Sequence, residues 1–221
     1  MVKALMSRAL SGKERAEAVC LDIGCSGGVM AQFLRGYGRV YGFDISREGL
    51  SYRCPSFPVV QADALAVPFK NASFDIITAL DVAEHVADDS LLFSEAARVA
   101  KKDCLVFVNV PAFMALWRSH DVRYGHRRRY TRAGLLKVLR PFPFTVEKMI
   151  FLHAHFILPL LVSALMDRAF PKKLGIRDDF VSFGAFADRL LLGSLLLESR
   201  LARFGALPAG ISLFCVLRKT C

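Results

Sequence analysis

An apolar run that ends in an acid and then breaks into glycines constrains this chain more than any other stretch: Val19-Cys20-Leu21-Asp22-Ile23-Gly24-Cys25-Ser26-Gly27-Gly28. It reads as a buried strand entering a tight turn. Glycines at such a turn permit left-handed backbone and close approach to a ligand. Val29 to Leu34 then carries apolar residues at helical spacing. A strand, a glycine turn and a helix in that order open an α/β sheet, and a small molecule is expected at the carboxyl end of the strand. The dinucleotide fingerprint sets a pyrophosphate on the helix N-terminus. Here Asp22 stands two residues before the first glycine, where it repels a pyrophosphate and suits a ligand carrying an ammonium group.

Further acids follow at telling places. Arg39 to Asp44 reads as the second strand, ending in a carboxylate about 20 residues beyond the turn, where a ribose-binding acid belongs. A carboxylate accepts two hydrogen bonds from vicinal hydroxyls. Asp44 therefore indicates a ribose without choosing between NAD and another nucleoside ligand. Phe57 to Gln61 is a short third strand, followed by Ala62-Asp63-Ala64-Leu65, and Phe74 to Leu80 is a fourth.

These four ordered segments resemble the class I S-adenosylmethionine-dependent methyltransferases. Asp22-x-Gly24-x-Ser26-x-Gly28 is similar to their first motif, with Ser26 in place of the middle glycine. The resemblance implies a Rossmann-like, seven-stranded, mostly parallel sheet with an antiparallel last strand, here Gly210 to Arg218. It implies S-adenosyl-L-methionine as cofactor. Asp22, Gly24, Cys25, Ser26 and Gly28 would hold its methionine part. Asp44 and Ile45 would take the ribose side, Asp63 and Ala64 the adenine, and Asp81 would close the site.

Asp81-Val82-Ala83-Glu84-His85-Val86 follows the fourth strand. On a helical turn Asp81, Glu84 and His85 share a face. They then suit a base, a hard divalent metal or a shaped pocket wall. The segment is similar to that of the quinone-pathway O-methyltransferases, whose corresponding positions bind a metal. That resemblance implies Asp81, Glu84 and His85 as metal ligands.

Asp88 to Ala100 reads as an amphipathic helix, and Cys104 to Val110 as the fifth strand. The character of the chain then changes. Between Arg118 and Arg140 there are eight Lys/Arg and one acid. Arg forks bind phosphate oxygens bidentately, so Arg127, Arg128, Arg129 and Tyr130 are expected to bind an acceptor phosphate. His120 and His126, with His85, are the candidates for acceptor chemistry. Thr131 is expected to cap a helix over 132–139. The segment, His120-Asp121 and then Gly125 to Thr131, resembles bacterial methyltransferases of polysaccharide and polyprenyl-lipid pathways, which share a His-Asp…Gly-His-Arg/Lys-Arg-Arg-Tyr-Thr signature.

One domain over 1–221 is expected. It comprises a cofactor core at 18–110, a basic acceptor-binding insertion at 111–140 and apolar helices within 149–205. A leading helix is expected over 2–17, and Phe144 to Lys148 as a sixth strand. Met149 to Met166 runs for 18 residues without Asp, Glu, Lys or Arg, the lower limit for a spanning helix. One crossing would strand the last β-strand on the wrong side. Two helices lying in one leaflet, the second over 180–197, are expected instead, with Lys148, Arg168, Lys172, Lys173, Arg200 and Arg203 facing lipid phosphates. A homodimer interface is the other use for such a surface. The net charge of +10 and mean hydropathy of +0.37 also point to an anionic partner, a membrane surface or a phosphorylated lipid before nucleic acid. No secretory signal is evident. Six scattered cysteines without metal spacing suit a reducing, cytoplasmic compartment. O-methylation of a membrane lipid, lipid-linked glycan or quinone-like acceptor is the expected function. An RNA methyltransferase or a non-catalytic binding protein are the alternatives.

Overall fold

The structure, a computed structural model, describes residues 1–11, 17–51, 57–169, 193 and 207–221. Its frame is a seven-stranded sheet in the order β3-β2-β1-β4-β5-β7-β6. The strands are β1 (Ala18–Ile23), β2 (Gly38–Asp44), β3 (Val59–Gln61), β4 (Phe74–Leu80), β5 (Ala100–Pro111), β6 (Phe144–Leu152) and β7 (Ser212–Lys219). β7 runs antiparallel to both β5 and β6, and the other pairings are parallel. This is the expected Rossmann-like α/β sheet with an antiparallel last strand.

The helices are α1 (Val2–Ala9), α2 (Val29–Leu34), α3 (Arg47–Ser51), α4 (Asp89–Val99), α5 (Ser119–Arg123), α6 (Arg132–Leu139) and α7 (Ile157–Ala169). Two apolar clusters cover the two faces of the sheet. One gathers Leu21, Ile23, Phe93, Val106 and Leu217, the other Cys20, Leu34, Ile76, Phe107 and Phe214. Central strands buried on both faces account for the nearly continuous apolar runs in the sequence. From β1 the chain winds outward through β2 and β3, then returns to β4 on the other side. Loops part at that reversal, and the crevice at the carboxyl ends of β1 and β4 is where such sheets bind ligands.

Capping follows the sequence closely. Asp88 Oδ1 accepts from Leu91 N at 3.1 Å at the start of α4, and Thr131 Oγ1 from Gly134 N at 3.0 Å at the start of α6. Several boundaries differ from expectation. α1 ends at Ala9, and β3 starts at Val59. β6 continues to Leu152, pairing Met149 with Cys215 and Leu152 with Ser212. Met149 to Leu152 is therefore strand, not the start of an apolar helix. The antiparallel partner supplied by β7 decides this, since Ile150, Phe151 and Leu152 are buried against the sheet.

Of the apolar region expected within 149–205, α7 is the described helix, 13 residues long. Among the described residues no helix is long and apolar enough to cross a membrane. The second apolar helix expected over 180–197, apart from Gly193, lies outside the described residues, as do Cys54, Lys172, Lys173, Arg200 and Arg203. α7 buries Ala164 and exposes Leu158, Val162, Leu165 and Met166. Its end is tied to the insertion: Ser119 N donates to Asp167 Oδ2 at 2.7 Å and Arg168 Nη2 to Ala115 O at 3.0 Å.

Candidate active site

The glycine turn is built as the sequence suggests. Gly24 has φ of +69°, and a Cβ there would stand 2.6 Å from Val82 Cγ2. Gly28 has φ of +82°, with the Phe57 ring 2.8 Å from where its Cβ would be. Ser26 takes φ of +40°, the left-handed backbone that makes glycine usual at this position. Its amide donates to Asp44 Oδ2 at 2.9 Å, and Ser46 N donates to Asp44 Oδ1 at 2.8 Å. Asp44 thus ties the turn after β1 to the end of β2. Each carboxylate oxygen keeps a lone pair for a ligand hydroxyl.

A cavity of about 570 Å³ opens beside this turn. Gly24, Ser26, Asp44, Ile45, Asp63 and Ala64 of the expected cofactor set line it. Ile45 is 67 % exposed there, an apolar platform. Asp63 Oδ1 accepts from Leu65 N at 2.9 Å, which fixes the loop after β3. Asp81, also of that set, and His85 and Arg127 line the same cavity.

Three expected contacts are not on the cavity wall. Asp22 is buried behind the turn, where Thr78 Oγ1 donates to its Oδ1 at 2.7 Å. Its other oxygen has no partner. Burial pushes its pKa up to about 6, against the Thr78 hydrogen bond. Cys25 is buried, its sulfur packed under Gly42 on β2. Gly28 caps α2. Asp22 and Cys25 support the turn from within the core, and Gly28 from the head of α2.

The acceptor side corrects the expected grouping more deeply. Asp81 is not in the tightest donor cluster with Glu84 and His85. Its backbone has φ of +56°, and its Oδ1 accepts from Asn109 Nδ2 at 2.8 Å. Desolvation by the cavity walls raises its pKa. Asp81 is thus engaged on Asn109, and the donors that converge most closely are a different set from the one the resemblance implies. Glu84, His85 and His126 instead bring one donor atom each within 4.8 Å of one another. The rings of His85 and His126 meet edge to face at 4.8 Å. His120 stacks near Tyr124 at 4.4 Å and lies 6.3 Å from His126, off the cavity wall.

Burial lowers the pKa of His85, aided by the charge of His126 and opposed by the backbone of Tyr124 and Gly125. This favours the neutral ring, which has a lone pair for a proton. Glu84 is 1 % exposed, and burial with the neighbouring Asp81 charge pushes its pKa up to about 8. The folded chain then keeps a proton that the unfolded chain releases. Stability from this group falls as pH rises from about 4.5 to about 8. Glu84→Gln removes that titration. Its melting temperature, relative to the parent, is expected to climb across this window and level off above it. A constant difference over the window would contradict a protonated Glu84.

The arginine run is used in a way its sequence does not reveal. Arg129 is buried and grips Asp121 with two nitrogens, Nε to Oδ1 at 2.8 Å and Nη2 to Oδ2 at 2.9 Å. Arg128 donates to the carbonyls of Val86 and Ala87 and pairs with Asp89 at 2.9 Å. The Tyr130 hydroxyl reaches Asp89 Oδ2 at 2.8 Å and Ala83 O at 3.1 Å. Burial and Asp89 push its pKa up. Arg128, Arg129 and Tyr130 are thus engaged inside the chain, a correction to their expected role on a phosphate. Arg127 alone of this run lines the cavity, with Nε on His85 O at 3.0 Å.

Sequence reasoning gave Asp121 no role of its own. It is the one acid among eight bases between Arg118 and Arg140, which is the signal that could have marked it. It accepts from Arg129, from Arg118 N at 3.0 Å and pairs with His126 Nδ1 at 2.8 Å. Burial pushes Asp121 up, but the hydrogen bonds from Arg129 and Arg118 and the Arg129 charge hold it below its usual range.

Residues 21–108 match the family described as Methyltransferase domain. The chain is 31 % identical over 97 residues to a ubiquinone biosynthesis O-methyltransferase of Thiobacillus denitrificans, covering 39 % of this chain and 41 % of that protein. The chain thus spans about two-fifths of the length of that relative. Its fold is similar to that of an S-adenosylmethionine-dependent methyltransferase from Mesorhizobium loti, with a TM-score of 0.63, 13 % identity, and 99 % and 98 % of the two chains covered. The YcgJ protein of Bacillus subtilis is similar at a TM-score of 0.62 and 20 % identity, covering 100 % of this chain and 98 % of its own.

Proposed function

We propose that this chain, a member of the class I S-adenosylmethionine-dependent methyltransferases, methylates a hydroxyl oxygen on a lipid-like, quinone-type acceptor. S-adenosyl-L-methionine supplies an electrophilic methyl group on a sulfonium. The residues of the cavity fit it. Asp44, Asp63 and Asp81 give the wall three carboxylates, which favour a cation. Gly24 leaves room where a side chain would clash. Asp44 would accept the ribose hydroxyls, and Ile45 would lie against the base.

The observation that carries the reading is His85 on the wall of the same cavity as these acids. In its neutral form it can take the proton of an acceptor hydroxyl. Arg127 beside it can orient an anionic oxygen. Alignment of the acceptor would supply the larger part of the rate, with the base adding to it.

A quinone-like phenol is favoured over a phosphorylated glycan because Arg128 and Arg129 are spent within the chain. The same fact removes the main support for RNA as acceptor. The name of the Thiobacillus denitrificans relative points the same way. The apolar face of α7, joined to the insertion, supports docking at the inner face of a membrane, where such an acceptor resides.

The test uses methyl-labelled S-adenosylmethionine with membranes and soluble extract of the source cell, kept separate. Label is expected in the organic-solvent fraction of the membranes. His85→Gln is expected to lower it by roughly 10²–10⁴-fold, with cofactor affinity retained. Label in RNA or protein instead would overturn the acceptor, and an undiminished rate in His85→Gln would overturn the base.

A further inference from the structure

The loop between β4 and α4 is irregular, so its carbonyls find no partners in a helix or strand of their own. Five consecutive carbonyls there are met from the insertion. The Tyr130 hydroxyl reaches Ala83 O, and Arg127 N donates to Glu84 O at 2.7 Å. Arg127 Nε donates to His85 O at 3.0 Å. Arg128 Nη2 donates to Val86 O at 3.1 Å and to Ala87 O at 2.6 Å. Arg128 Nη1 also pairs with Asp89 at the head of the next helix. The insertion grips the loop's backbone residue by residue.

The grip is itself anchored. Asp121, fully buried, holds the Arg129 fork and His126 Nδ1. The backbone closes the same loop, with His126 N donating to Asp121 O at 2.8 Å. Arg129 Nη1 reaches Ala112 O at the end of β5. His126 in turn stands edge-on to His85. A chain of fixed contacts therefore runs from the sheet through Asp121 to the imidazole on the cavity wall.

We infer that Asp121 and Arg128 are positioning residues for His85, and that Arg128 and Arg129 splint the cavity wall and do not grip the acceptor. This rests on the proposed role of His85 as base. Imidazole has two nitrogens, and the hydrogen bonds around it decide which one carries the proton. Loosening the loop would let the His85 ring turn and exchange its proton between them. Local geometry errors of about 1 Å are enough to cost roughly 10²-fold in rate.

Long-range proton–nitrogen NMR spectra of the full chain, labelled with ¹⁵N-histidine, read the tautomer directly. The His85 signals are assigned by their loss in His85→Gln. One tautomer is expected at His85 in the parent. Arg128→Lys keeps the charge beside Asp89 but loses the second nitrogen, so it cannot hold Asp89 and the Val86 and Ala87 carbonyls together. It is expected to give mixed tautomers at His85, an S-adenosylmethionine Kd within about twofold of the parent, and roughly tenfold less label transferred to the membrane lipid fraction. Asp121→Asn is expected to do the same more strongly.

If Asp121→Asn does not fold, Arg128→Lys decides. Parent-like His85 signals in a folded Arg128→Lys protein would overturn the inference, as would mixed tautomers in the parent. The spectra need no acceptor. A fixed His85 in the parent, lost in Arg128→Lys, with no label in any fraction would leave the splint standing and bring down the proposed reaction instead.

Discussion

Arg129→Met is expected to lower the melting temperature by roughly 6–20 °C. The Arg129 and Asp121 side chains are 4 % and 0 % exposed, so neither charge can turn to water when its partner is lost. Breaking a buried pair from one side costs about 3–5 kcal/mol, because the remaining charge stays desolvated. For a chain of this size each 1 kcal/mol shifts the melting temperature by about 2–4 °C. The double variant Arg129→Met/Asp121→Leu removes both charges and is expected to regain much of the loss. Thermal denaturation of the three proteins checks both expectations. A shift of less than about 3 °C in the single variant would mean that Asp121 finds its compensation elsewhere.

The other large effect is on cofactor binding. Asp44→Ala is expected to weaken S-adenosylmethionine by about 100-fold or more, and to abolish transfer at ordinary cofactor concentration. Asp44 holds the Ser26 and Ser46 amides, one on each oxygen. Its loss therefore frees the glycine turn and removes the ribose acceptor together. Hydrogen bonds to a charged group contribute about 1.5–3 kcal/mol each, and 1.4 kcal/mol is tenfold in affinity. Asp44→Asn keeps one acceptor oxygen and is expected to fall between the two. Titration calorimetry gives both affinities. Binding by Asp44→Ala within about threefold of the parent would remove the ribose from this end of β2.

Features of short range were plain in the sequence. The apolar run into Gly24 predicts a buried strand and a left-handed turn, and both are present, Ser26 included. Asp44 at the end of its strand, Asp63 after the next, and Thr131 before a helix stand where their spacing put them. Each of these depends on a few neighbouring residues: the sterics of a positive φ, the two-residue period of a strand, a side chain capping an amide three positions on. Such needs leave the same mark in any chain that adopts the fold.

Partners across the fold left no such mark. Arg127, Arg128 and Arg129 read alike, yet one lines the cavity, one binds loop carbonyls and one is buried on Asp121. An arginine fork fits a phosphate, a carboxylate or a row of backbone oxygens equally well. Asp81 and Glu84 share a helical spacing, but the chain forms a turn there and sends Asp81 to Asn109 on the neighbouring strand. Met149 to Leu152 is apolar enough for a helix and becomes strand because β7 returns beside it. The sequence by itself determined the sheet, the turn and the acids that make a nucleoside site. Only the tertiary structure decided which charges face the cavity, because a charged side chain takes whichever partner the packing of distant elements brings within reach.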